Sequence, residues 1–112
     1  MAAESRPIPY ALETNIPSGI RFAEGQPAQG WGRILKCSQD AVELETHFPV
    51  VENSRIFLTF EIEGFYEFGD VPFKVTGFRN MPFATVAICA MESPDQKARW
   101  KEALLYLVDR NP

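Results

Sequence analysis

Over residues 54–62 every second side chain is apolar: Ile56, Leu58, Phe60 and Ile62 alternate with Arg55, Phe57, Thr59 and Glu61. A period of two predicts a strand with one face on a core, because successive side chains leave a pleated chain on opposite sides. Phe57 interrupts the polar set, so this strand is expected to be covered in part on both faces. The pattern recurs along the chain. Residues 31–37 read as a strand and Ser38-Gln39-Asp40 as a turn, where short polar side chains bond locally to the backbone. Residues 41–46 return as a strand in which Val42, Leu44 and Thr46 alternate with Glu43 and Glu45. Residues 49–53 form a loop. Residues 71–78 read as a strand with Pro72 near its start, as an edge strand tolerates, and residues 83–91 as a long apolar strand after a turn at 79–82.

The chain ends in a helix, expected over 94–109. Ser93 suits the N-cap, Pro94 the first helical position, and Gln96 stands three after Ser93, a capping box. Trp100, Ala103, Leu104, Leu107 and Val108 form one apolar stripe at helical spacing. The start of the chain differs. Pro7, Pro9, Pro17 and Pro27 fall before residue 30 with Gly19 and Gly25, and proline cannot donate to a ladder. Residues 1–19 are therefore expected to form an extended arm, with a short strand near 19–22 and a folded domain over 20–112. Consecutive strands joined by short turns predict a meander or Greek key, curled or closed into a small barrel with the helix over one opening.

A chain of 112 residues is one domain on length. Its 15 acidic and 11 basic residues give a net charge of −4, against a general DNA or RNA binder. One histidine and two distant cysteines, Cys37 and Cys89, leave too few ligands for a structural zinc site. No apolar run approaches the ~20 residues of a membrane span, and Met1 to Arg6 lacks a basic-then-apolar signal pattern. The expectation is a soluble, cytoplasmic protein without membrane insertion.

No catalytic constellation stands out, so no enzyme activity, metal or cofactor is expected. His47 has no nucleophile signature beside it, and Glu43 and Glu45 suit the solvated face of a strand. Arg21, Arg33, Lys36 and Ser38 are the candidates for an anion site, because guanidinium forks grip phosphates and a turn hydroxyl adds a donor. This site needs the arm to fold back, bringing Arg21 to Lys36 and Ser38. Residues 65–70 read as either a wide hairpin tip or an irregular strand, and Phe65, Tyr66 and Phe68 cluster there with Gly64 and Gly69. They either return to the core or offer a patch to a partner.

The stretch from Gly32 through Lys36, Ser38 and Ala41 to Leu44 resembles the central strand–turn–strand of the bacterial PilZ domain family. Residues 54–61 resemble its next strand, and residues 73–106 its last hairpin and helix. The resemblance implies a mainly β fold: a six-stranded antiparallel split barrel with one C-terminal helix. It also implies cyclic di-GMP as the possible ligand, gripped in that family by R-x-x-x-R and D/N-x-S-x-x-G motifs. Here the acid or amide is Lys36, the serine is Ser38 and the glycine is Ala41. Arg21 has Pro17 four before it and Gly25 four after. The expected function is a signalling adaptor with weak or lost nucleotide binding and a protein partner in a motility, biofilm or virulence system. The alternatives are a working sensor using Arg21 and Ser38, and a small accessory barrel of an enzyme complex.

Overall fold

The computed structural model describes residues 12–23 and 29–110. Six strands close a barrel in the order β1-β2-β3-β6-β5-β4, all neighbours antiparallel: β1 (Leu12–Phe22), β2 (Gln29–Cys37), β3 (Ala41–Thr46), β4 (Arg55–Ile62), β5 (Tyr66–Asn80) and β6 (Thr85–Met91). The chain thus builds two three-stranded meanders. They join at β3–β6, in register from Ala41↔Ala90 to Thr46↔Thr85, and at β1–β4, in register only from Gly19↔Thr59 to Phe22↔Ile56. Inward side chains of all six strands fill the core, among them Ile20, Ile34, Leu44, Leu58, Phe73 and Cys89.

Helix α1 (Pro94–Arg110) closes one end of the barrel with the expected stripe. Trp100, Ala103, Leu104 and Leu107 are buried. Trp100 meets Phe60 and Phe68 edge-on, with centroids at 5.8 and 5.7 Å, and Phe60 stacks on Phe68 at 5.0 Å. At the helix start the Gln96 N–H donates to Ser93 Oγ (3.3 Å), but Gln96 Oε1 is buried with no hydrogen-bond partner. Only half of the capping box is formed.

Two expectations need correction. Residues 12–19 of the expected arm over 1–19 are barrel wall, the first part of β1, so the barrel does not begin at residue 20; residues 1–11 lie outside the described residues. Proline was the misleading signal. The Ala23 N–H donates to Arg55 O, which turns the alternate backbone groups at 21, 19 and 17 toward β4. Pro17 lacks the N–H that would continue this ladder, and the β1–β4 pairing stops at Gly19↔Thr59. On its other side Pro17 stays in register with Arg33. The second correction concerns β5, which is one long strand flanked by β4 and β6 and not an edge. Asp70, at φ 53°, takes up an extra residue in a bulge, its N–H donating to Thr59 Oγ1 at 2.9 Å. Pro72 is tolerated because it lies where the β5–β6 ladder ends, its carbonyl accepting from the Glu92 N–H.

Candidate functional site

The β2–β3 turn is held from three sides. The Ser38 N–H and Oγ both donate to Ala41 O, at 2.8 and 3.2 Å, and Ser38 O accepts from Trp100 Nε1 at 2.9 Å. Lys36, just before it, stands in register with Glu13 on β1 and Glu43 on β3. Residues directly opposite one another have Cβ atoms about 5 Å apart, so two carboxylates flank this cation. The hollow beside the turn, lined by Lys36, Ser38, Ala41, Glu43 and Ile88, holds about 180 Å³. That lies below the roughly 300–1,000 Å³ of small-molecule sites.

Arg21 is elsewhere. It pairs with Gln29, whereas Glu13 pairs with Lys36. At about 3.3 Å per residue, that separates Arg21 from Lys36 by roughly 25 Å along β1. Its guanidinium forks onto Asp70, Nε to Oδ1 at 3.0 Å and Nη2 to Oδ2 at 2.8 Å, and lies 4.0 Å from the centre of the Phe57 ring. Arg21 and Phe57 are register partners on β1 and β4, which explains how an outward phenylalanine is covered. The pairing raises the Arg21 pKa and holds the Asp70 carboxyl below its ordinary value, in both cases mainly through the side-chain hydrogen bond.

Arg33 is also committed. Nη2 meets Glu45 Oε1 at 2.8 Å, and Nη1 meets Asn15 Oδ1 at 3.4 Å. Arg79 adds a bond to Glu43 at 3.3 Å. These pairs cover the outer face of Val86, which is 4% exposed. The four candidate ligand residues therefore form no single site. The fold-back expectation fails on register: residues 12–22 are a strand running away from Ser38.

The aromatic trio is divided. Phe68 is 1% exposed and belongs to the core, so it offers nothing to a partner. Of the two readings of residues 65–70 the irregular strand is the one observed, and the bulge at Asp70 keeps Phe68 on the inward face of β5. Tyr66 is half-buried and Phe65 is 70% exposed; both pack against Tyr106 of α1, at 5.8 and 5.6 Å.

Six strands in this order, with the last helix sealing the barrel beside the β2–β3 turn, match known proteins in shape. The complex of K. pneumonia MrkH with c-di-GMP superposes over 96% of this chain with a TM-score of 0.77 at 12% identity. The PilZ domain of CeSA from a cellulose-synthesizing bacterium does so over 88%, at 0.65 and 14%. This chain has the PilZ-type fold. The Bacillus subtilis inhibitor of motility, MotI/DgrA, gives 0.68 and 10% over 98% of the chain. The chain spans 97% of the CeSA PilZ domain but only 54% of MrkH and 55% of MotI. No protein-family model matches the chain, and no curated protein matches it in sequence.

Against that fold, two features escape a reading of the sequence. One is the exposed apolar side chains at the end of the barrel opposite α1, where Trp31 is 62% and Phe83 87% exposed. Register joins Gly32, Thr46 and Thr85 in one row, which puts both rings at that end. The other is a groove where β1 and β4 part, lined by Glu13, Glu61, Glu63 and Glu67. Its one local signal is Pro17 within a run that otherwise alternates. Among the described residues no cluster of His, Cys, Asp and Glu is placed to hold a metal, and no helix is long and apolar enough to cross a membrane.

Proposed function

We propose that this chain is a bacterial PilZ-like signalling domain that binds cyclic di-GMP weakly or not at all, is not an enzyme, and acts in the cytoplasm through contacts with a protein of a motility, biofilm or virulence system. The observation that carries this is the register of β1 and β2, which holds Arg21 at the far end of the hairpin from Ser38 and commits it to Asp70. Two phosphates need several guanidinium forks converging on one place. The Ser38 turn supplies one lysine between two glutamates. The likeness to MrkH and MotI supports a signalling role.

A second reading, a working sensor, is favoured by the intact Ser38 turn and the likeness to MrkH in its c-di-GMP complex. Calorimetric titration with cyclic di-GMP separates the two. The adaptor reading expects no heat of binding at micromolar ligand. A micromolar or tighter Kd that Ser38→Ala or Arg21→Ala abolishes would establish the sensor instead.

A further inference from the structure

The other five strands of the barrel wall present inward residues that are fully buried, such as Ile34, Val42, Leu58, Val75 and Cys89, but along the first half of β1 the inward Leu12, Thr14 and Ile16 are only half-buried. The cause is the parting of β1 from β4 beyond Gly19↔Thr59. Two adjoining hollows, of about 520 and 760 Å³, occupy the gap and share Pro17, Glu61 and Glu63. Their floor is apolar, formed by Leu12, Ile16, Phe60 and Leu107. Alternate backbone groups of β4 at 55, 57 and 59 face β1, and the same alternation turns the N–H and carbonyl of Glu61 into the gap.

We infer that this groove receives an extended, basic peptide segment of a protein partner, which adds as a strand to the β4 edge. An open edge supplies main-chain hydrogen bonds, and alternate side chains supply specificity. Side chains pointing inward would cover Leu12 and Ile16, and those pointing outward would meet Glu13, Glu61 and Glu67. Among the described residues no lysine or arginine lines either hollow, so the charge of the rim selects a cationic strand. Arg99 lies at the Glu67 side but is committed, bonding the Glu67 carbonyl and lying 4.9 Å from the centre of the Phe68 ring. The inference rests on the protein-contact half of the reading above.

The test uses the full chain and a capped octapeptide of alternating valine and lysine, followed by fluorescence anisotropy. The expected Kd is micromolar, at least tenfold tighter than for the valine–glutamate peptide. Of two versions N-methylated on alternate residues, one in each frame, at least one loses binding. Glu61→Lys with Glu67→Lys, two exposed positions, reverses the charge preference while the melting temperature holds. Amide shifts on binding fall at residues 16–19 and 60–62. No binding of the parent peptide at millimolar concentration, or undiminished binding of both N-methylated versions, overturns the inference. A concentration-dependent dimer that the double variant breaks also overturns it and assigns the groove to a second copy. Tight cyclic di-GMP binding bears only on the nucleotide half of the earlier reading, so the two failures are distinguishable.

Discussion

Trp100 Nε1 donates to the carbonyl of Ser38 at 2.9 Å, joining residues 62 apart in sequence. This one bond ties the closing helix to the β2–β3 turn. Trp100→Phe keeps most of the packing against Phe60 and Phe68 but leaves a carbonyl without its donor. The expected loss is about 1–3 kcal/mol, read as a lower urea midpoint. Trp100→Ala adds a cavity and is expected to cost about 3–5 kcal/mol.

Phe65 and Phe68 stand three apart and behave oppositely. Phe68→Ala empties a core position and should cost about 3–5 kcal/mol by chemical denaturation. Phe65→Ala removes an exposed ring and should leave stability within about 0.5 kcal/mol. A large loss for Phe65→Ala would show that its contact with Tyr106 matters more than its exposure implies.

Gly32 is required by a close approach of two strands. A Cβ there would lie 2.3 Å from the Glu45 carbonyl oxygen, and backbone cannot swing aside. Gly32→Ala is expected to cost about 1–3 kcal/mol through forced backbone shifts. At Gly30 the Cβ would meet the Phe48 ring at 2.8 Å. That ring is half-buried and can turn, so Gly30→Ala should cost less. Melting temperatures of the two variants check the order.

Burial pushes the thiols of Cys37 and Cys89 up to about 12, with Thr14 pulling Cys37 back slightly. The unfolded chain loses these protons near pH 9, so between pH 9 and 12 it binds fewer protons than the folded chain. Stability must then fall as pH rises, by up to about 1.4 kcal/mol per pH unit for each thiol. Urea midpoints measured across this range should fall less steeply for Cys89→Ala than for the parent chain, although the variant is less stable throughout.

The parts of the fold that were legible are those whose signals are local. Residues 41–46 alternate strictly, and β3 is Ala41–Thr46; Ser93-Pro94 marks a helix start, and α1 begins at Pro94. The misread parts depend on neighbours that the local sequence does not name. Pro17 looks like a strand breaker until β4 is known to lie on its amide side and to have parted there. Whether residues 65–70 make a hairpin tip or an irregular strand is likewise decided only when Thr59 is seen to accept the Asp70 N–H. The site suffered most, because whether Arg21 meets Ser38 is a question of register. The residues establish the charges, and only the pairing of β1 with β2 establishes the distance.

The barrel's circumference closes unevenly, with six residue pairs between β3 and β6 but four between β1 and β4. In the time domain this makes the β1–β4 junction a clasp. Few backbone bonds have to break there. Amide hydrogens at residues 19–22 and 56–59 should therefore exchange through openings that cost less than global unfolding, while those of β3 and β6 wait for the whole domain. The barrel then breathes at its narrowest join, beside the same groove into which a seventh strand would fit.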